Sequence, residues 1–573
     1  MKLKNLKYIA LSVGLAVSAS SCVDLDYNEV TTNDEEWVYD SPLYGVEKLV
    51  FDIYAQLMNG FENNYNGALL ASATDEASYA LINSDIHKFY NGGWSPNNPM
   101  PDYWRNNYTA IHEANNFLEK LDKISLDDYI YSVADGTSYE TLRARFELFP
   151  YEIRALRAYF YFELLRAYGE VPLVLATLSI DEANNVERTP VERIVKFIVD
   201  ECDAIAEYLP INYRQEMSQQ LGRANRPFVL ALKARTLLYA ASPLLNPEGD
   251  RSKWEAAAKA NKEVIDRGAE WGITLGKYAD LWGNNSFTNN EFIFSLAQTE
   301  NNTFERQNYP IGLEGAQSGN CPTQTLVDQY EYQTGENAGR TFGEVFPGNI
   351  NITMDTPYDG LDPRFSMTIV KNGDLWPLNS NQQREIQTYE GGFNASPKYN
   401  ATPTGYYLRK YLDGNTDLTP NVNSSFRHAW IVMRLAEFYL NYAECIYTLT
   451  GDASAPGEFG MSANDAINVV RDRSDVQMPH FEGNPSDFLQ RYERERLVEF
   501  AFEDLRFWDV RRWKKGQVYF KNVYGARLEK QTDGSIMLTR VPLARQWDEK
   551  YNLFPIPYSE IMKNGKLYPN QGW

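Results

Sequence analysis

The feature that most constrains this chain is the spacing of its apolar residues. Trp104, Tyr108, Ile111, Leu118 and Leu121 recur at helical intervals, and so do Ile153, Leu156, Phe160, Leu164 and Tyr168. Leu49, Ile53 and Leu57 mark one face of an earlier helix. Gly169 offers an easy left-handed end to the longest of these, and Pro172 prevents its resumption. A fourth helix reads from Thr189 as cap, Pro190 in the first turn and Glu192 completing a capping box; Ile194, Ile198, Cys202, Ile205 and Leu209 form its buried stripe. Residues 227–241 and 252–266 make a further pair, the second opened by Ser252 and Glu255 and closed by Gly268. Residues 433–449, 462–473 and 485–513 complete the set. The expected fold is mostly α, built of tetratricopeptide-like hairpins that bury their apolar faces on one another.

Two long stretches break this pattern. Residues 60–102 and about 275–430 are rich in Asn, Gly, Pro and aromatics, with only short strand-like runs at 291–296 and 365–370. Long insertions on a rigid scaffold are where binding residues usually sit. The expectation is a helical scaffold over about 40–60, 103–268 and 430–513 that presents a loop-built binding face.

The N-terminus reads as an export signal occupying residues 1–21. Lys2, Lys4 and Lys7 form a basic region, followed by an apolar run from Tyr8 to Val17 that is too short to span a bilayer. Small residues Ser18-Ala19-Ser20-Ser21 then lead directly into Cys22, an arrangement similar to a lipobox, although Ala19 stands where Leu is commonest. Cys22 is therefore the expected lipidation site, where several acyl chains would hold the protein at a membrane. Asp24, Asp26 and Glu29 follow at once, as in surface-exported lipoproteins of the Bacteroidetes. Cys202, Cys321 and Cys445 remain; an odd number cannot close a disulfide framework, so the fold must rest on its core.

Composition narrows the function. Hydrophobic residues at 43% and charged residues at 23% describe an ordinary globular protein. The formal charge is -22, and loss of residues 1–21 would take it to -25. Such a field repels phosphate backbones, which argues against nucleic acid as a partner. Aromatics reach 14%, with 39 Tyr and 12 Trp, many flat surfaces for packing or for ligands. No G-x-S-x-G or H-E-x-x-H occurs, and His87, His112, His428 and His480 lack ligand spacing, so neither a metal nor a redox cofactor is required. Glu495, Glu499, Glu503, Arg506, Asp509 and Arg512 step by three or four, which predicts a ladder of ion pairs along one helix face.

Several blocks resemble one family. Arg154-Ala-Leu-Arg-Ala-Tyr-Phe-Tyr-Phe162 with Arg166-Ala-Tyr-Gly169 and Val171-Pro-Leu173 is similar to the central helix of SusD/RagB proteins. Gly222-Arg223 with Ala231 to Arg235, Tyr239 and Ser242-Pro243 resembles the next family block, and Arg434 to Glu444 with Ile467, Asn468 and Arg471 a third. The most specific runs from Glu495-Arg496 through Glu499, Ala501-Phe502-Glu503, Arg506 and Asp509 to Arg512-Trp513; Phe554-Pro-Ile-Pro557, Glu560-Ile561 and Asn570-Gln-Gly572 match the family's end. The resemblance covers nearly the whole of 22–573. It implies a nutrient-binding lipoprotein of the outer membrane, facing the cell exterior. It would capture an oligosaccharide or polysaccharide and act as lid for a SusC-like TonB-dependent transporter, with no enzymatic step. Peptide capture, as in the RagB branch, and a lipid-anchored glycoside hydrolase are the alternatives.

The resemblance also directs the choice of binding residues. Trp94 lies in Gly92-Gly-Trp-Ser-Pro-Asn97, a turn expected to leave the ring exposed. A Trp followed by Asn three residues on, in the first insertion, resembles the sugar-stacking pair of the starch-binding family member. Asp75, Trp94 and Asn97 are accordingly the first candidates. Tyr309, Trp376 and Arg384 follow from residue type and position in the second insertion.

Overall fold

The computed structural model describes residues 38–573 apart from 40–41, 59, 62–64, 101–102, 131–137, 214–221, 284–285, 354–356, 377–382 and 423. The predicted lipidation site, Cys22, lies outside the described residues.

Among the described residues, ten helices of eight residues or more carry the scaffold: α1 (Val46–Ala55), α2 (Tyr103–Glu119), α3 (Tyr139–Tyr168), α4 (Val191–Ile205), α5 (Arg226–Ala241), α6 (Arg251–Arg267), α7 (Leu435–Thr450), α8 (Ala463–Arg471), α9 (Phe488–Glu499) and α10 (Leu505–Arg512). From α2 to α7 each packs on the next, ending with α7 on α8, so the tetratricopeptide-like array expected from the periodicity is present. α3 is capped by the Ser138 hydroxyl and ends at Gly169, whose φ of 71° a side chain would resist. Charged groups tie the array together. Arg154 makes a bidentate pair with Glu201 at 3.0 and 2.8 Å, joining α3 to α4, and Arg235 pairs with Glu437 to join α5 to α7. Among the described residues no helix is long and apolar enough to cross a membrane. Cys202, Cys321 and Cys445 are free and buried.

The strands are short and lie mainly in the insertions: β1 (Ala77–Tyr79), β2 (Phe292–Ala297), β3 (Asn320–Pro322), β4 (Ile350–Ile352), β5 (Ile369–Val370), β6 (Leu375–Trp376), β7 (Arg384–Glu385), β8 (Tyr407–Leu408), β9 (Ala429–Arg434), β10 (Val523–Lys530) and β11 (Ile536–Leu543). They pair antiparallel as β1–β3, β2–β9, β5–β8, β6–β7 and the three-stranded β10–β11–β4. Two apolar cores result. One fills the helical array and takes in Trp94, Phe554 and Ile556; the other lies inside the large insertion, around Tyr330, Phe365, Trp376 and Tyr407.

Several local expectations need correction. Thr189 does not cap α4; its hydroxyl accepts from the Leu173 amide instead, and Pro190 occupies the cap position. Asp250, not Ser252, caps α6. Residues 365–370 are not a strand throughout. Asp362 accepts from the Arg364 amide and Pro363 opens a helical turn, so Pro363–Thr368 coils before β5 begins.

The largest correction concerns 485–513. The predicted single helix is broken between α9 and α10, where Phe502 and Asp504 take φ values of 64° and 63°. The charges there do not form a ladder along one face. They are buried; Asp509 and Arg512 do pair three residues apart at 2.8 Å, but the other partners come mainly from distant segments. Arg434 reaches Glu499 at 2.7 Å, Glu291 at 2.9 Å and Glu503 at 2.7 Å; Arg364 reaches Glu495 at 2.7 Å and Glu499 at 2.8 Å. Lys410 closes on Glu503 at 2.6 Å. Burial alone would raise the Glu499 carboxyl, yet Arg473, Arg434 and Arg364 together pull it down to about 2. This buried network clamps the large insertion onto the scaffold and fixes the loops it carries.

Candidate ligand-binding surface

Four of the six predicted binding residues are interior. Trp94 is only 2% exposed, enclosed by Phe89, Tyr551, Phe554 and Trp573 at ring-centroid distances of 4.8–5.6 Å. The turn at Gly92-Gly93 does form, but residues near the C-terminus close over the ring, so Trp94 cannot stack on a ligand. Asp75 is also buried, held in a bidentate pair with Arg506 at 2.9 and 2.7 Å. Beside it Glu76 is pushed up to about 8 by burial and by the Asp75 charge. Tyr309 and Trp376 meet edge to face at 5.1 Å in the insertion core, and the Tyr309 hydroxyl donates to the Asp413 carbonyl. These four residues build the fold and do not face solvent. Asn97 and Arg384 are exposed. Asn97 sits on a surface turn whose Pro96 carbonyl accepts from the Tyr558 amide.

Arg384 leads to the surface that the sequence reading missed. In the β6–β7 pair it stands opposite Trp376, so the buried Trp anchors the strand whose next turns reach outward. Ile386 is fully buried, and its amide and carbonyl bond to Asp374 and Gly373. The chain then turns through Gly391 and Gly392. Asn394, also fully buried, locks this turn: its Oδ1 accepts from the Gln387 amide at 3.0 Å and its Nδ2 donates to the Ile311 carbonyl at 2.7 Å. The Tyr407 hydroxyl donates to the Asn394 carbonyl at 2.6 Å, and the Glu390 amide donates to Leu528 of β10. Gly312 lies so close that a Cβ there would come within 2.7 Å of the Phe393 carbonyl oxygen.

This bracing holds aromatic side chains in solvent. Phe393 is 40% exposed and Tyr399 74% exposed. The Arg384 guanidinium lies 5.6 Å from the Phe393 ring centroid and the Lys398 ammonium 4.9 Å from it. Tyr389, half-buried on the same loop, has Lys530 at 5.4 Å. An exposed ring beside hydrogen-bond donors on a rigid loop suits a ligand with an apolar face and polar edges. The sequence carried a partial signal: Gly391-Gly-Phe393 repeats the Gly92-Gly-Trp94 pattern.

Two other cavities fit such a ligand less well. One of about 410 Å³ runs between α2, residues 172–186 and residues 560–567, walled by Trp104, Tyr108, Ile111, Leu178 and Leu567. Its Asn115 and Asn564 amides already donate to the carbonyls of Val174, Ala176, Ala183 and Val186, which leaves a mainly apolar trough. The other, about 70 Å³, lies among Glu163, Arg166, Glu503 and Asp504, with room for a few waters and not for a sugar ring. Asp504 is pushed up to about 7 there, by burial first.

Comparison with known proteins places this architecture. The SusD family profile matches residues 290–573, and a second profile, described as starch-binding associating with outer membrane, matches residues 31–238. A SusD-like protein of Formosa agariphila is 22% identical over 431 residues, 72% of this chain and 70% of that protein. A SusD-like protein of Bacteroides fragilis superposes with a TM-score of 0.76 at 25% identity, covering 94% of this chain and 98% of its own. A SusD-like carbohydrate-binding protein from the same organism gives 0.70 at 24% identity over 93% and 100%. A laminarin-binding SusD-like protein gives 0.57 at 20% identity over 92% and 98%. The two profiles between them span most of the chain, the solved relatives share its fold over 92–94% of its length, and the chain belongs to the SusD/RagB family.

Proposed function

We propose that this chain is a surface glycan-binding lipoprotein, anchored through Cys22 at the outer membrane, that captures oligosaccharide or polysaccharide and serves as lid to a SusC-like TonB-dependent transporter. The observation that carries the capture step is the pair of exposed rings, Phe393 and Tyr399, on a loop braced by buried Asn394. Sugar rings present apolar faces that lie on such rings, while their hydroxyls pair with neighbouring polar groups. Relatives described as carbohydrate-binding and laminarin-binding support this reading, and the family description supports the outer-membrane location.

The reading is capture without cleavage. Glycoside hydrolysis needs two carboxylates across a bond, one of them raised and facing the substrate. The two carboxyls raised most clearly here are Glu76, fully buried, and Asp504, beside the small inner cavity. Neither borders the Phe393 surface. A glycan array of the soluble chain, followed by calorimetry of the strongest hit, tests the proposal. Losing one aromatic face removes on the order of 1–3 kcal/mol, so Tyr399→Ala with Phe393→Ala should weaken binding tenfold to a hundredfold or more. Unchanged binding by that double variant would count against this surface, and ligand fragments accumulating over time would count against capture without cleavage.

A further inference from the structure

The face around Phe393 carries positive charge that the protein does not use. Across most of this region cations are matched: Lys371 and Arg409 meet Asp374 at 2.7 and 3.4 Å, and Arg527 approaches Glu390 at 3.7 Å and Glu529 at 3.8 Å. Arg384 and Lys398 differ. Among the described residues neither joins an ion pair, and both lie beside the Phe393 ring, 5.6 and 4.9 Å from its centroid. Glu385 follows Arg384 in β7, and strand alternation sends its side chain to the opposite face.

A ring orients a cation without neutralising it. Two cations beside one ring with no carboxylate paired to them leave that face positive, and a bound anion offsets that charge. In a chain of formal charge -22, such a local reversal of sign is what an anionic ligand would need in order to approach. A neutral glycan would gain little from it.

Building on the glycan-capture reading above, we propose that the ligand of this face is an anionic glycan carrying carboxylate or sulfate-ester groups. Its charged groups meet Arg384 and Lys398, and its ring faces lie on Phe393 and Tyr399. The Arg384 fork suits the planar oxygens of either group, and Lys398 adds a point charge.

Calorimetry with three oligosaccharide sets tests this: polygalacturonate for carboxylate, sulfated dextran for sulfate, and unsubstituted dextran of matched length as the neutral control. The soluble chain should bind one anionic set and not the neutral set, and affinity should fall roughly fivefold or more between about 50 and about 300 mM salt. The double variant Arg384→Gln/Lys398→Gln should lose about tenfold or more of that affinity. The charge-keeping exchange Arg384→Lys/Lys398→Arg should lose clearly less than the double Gln variant, because it keeps both charges while displacing the fork. Melting curves should be nearly unaltered in both, since among the described residues these side chains make no ion pair to lose. A neutral glycan, from the dextran set or the array, that binds tightly and loses affinity in Phe393→Ala/Tyr399→Ala but not in the double Gln variant would overturn the anionic inference and leave glycan capture standing. An anionic glycan held equally well by the double Gln variant would also overturn it. Failure of every glycan to respond to either double variant would overturn both.

Discussion

At the level of single residues, two similar turns take opposite roles. Gly92-Gly-Trp94 and Gly391-Gly-Phe393 both place an aromatic after paired glycines, yet Trp94 is 2% exposed and Phe393 40%. The turn chemistry was legible in the sequence. What decides exposure is the cover supplied by Tyr551, Phe554 and Trp573, more than 450 positions away along the chain, and no local pattern reports it. Removing the buried ring should cost about 3–5 kcal/mol, whereas the exposed ring should cost little. Denaturant titration of Trp94→Ala and Phe393→Ala checks this, and equal stability losses would contradict the assignment. Glu76 gives a pH test. Its folded carboxyl is raised from 4.5 to about 8, so its contribution is fully present below the unfolded value and is lost as pH rises through about 8. Wild-type stability should therefore fall between pH 5 and pH 8 by up to a few kcal/mol relative to Glu76→Gln, which keeps an acceptor for the Phe502 amide. Parallel stability profiles for the two proteins would show that Glu76 is not held protonated.

At the level of elements, helices with a clean apolar stripe were readable, and α4 to α8 lie close to where periodicity set them. Elements decided by contacts far along the chain were not. The ladder expected over 485–513 assumed that charges three and four apart serve one another. Asp509 and Arg512 do, at 2.8 Å, but Glu495, Glu499 and Glu503 find Arg364, Arg434 and Arg473, and the helix is broken after Glu499. The β10–β11 hairpin has a local turn signal at Asp533-Gly534, where Gly534 takes a φ of 89°. Glu499 is the clearest test of the clamp. Its conversion to Gln leaves three buried guanidiniums short of an anion and should cost about 3–5 kcal/mol. Equilibrium unfolding measures the loss; a change within about 0.5 kcal/mol, as for an ordinary surface pair, would contradict the clamp.

At the level of the whole molecule, a helical scaffold carrying loop-rich insertions followed from the sequence, and the binding face did not. Four of six chosen residues proved to be pillars, because aromatic and charged side chains in long insertions are needed first to build a core there. Arg384 alone pointed to the exposed rings on its own loop. The anchor and the lid role belong to this scale as well. Cys22→Ser should release the protein from the outer membrane, and mild-detergent purification of the wild type should recover a TonB-dependent barrel. A folded Cys22→Ser variant that still fractionates with membrane, or a wild type recovered alone, would contradict those roles. The measurement that bears most directly on the central claim is a crystal structure of the soluble chain with its strongest array ligand. The account predicts sugar density against Phe393 and Tyr399, within reach of Arg384 and Lys398. Density confined to the apolar trough beside Trp104 and Tyr108, or to the turn carrying Asn97, with the Phe393 loop empty, would contradict it.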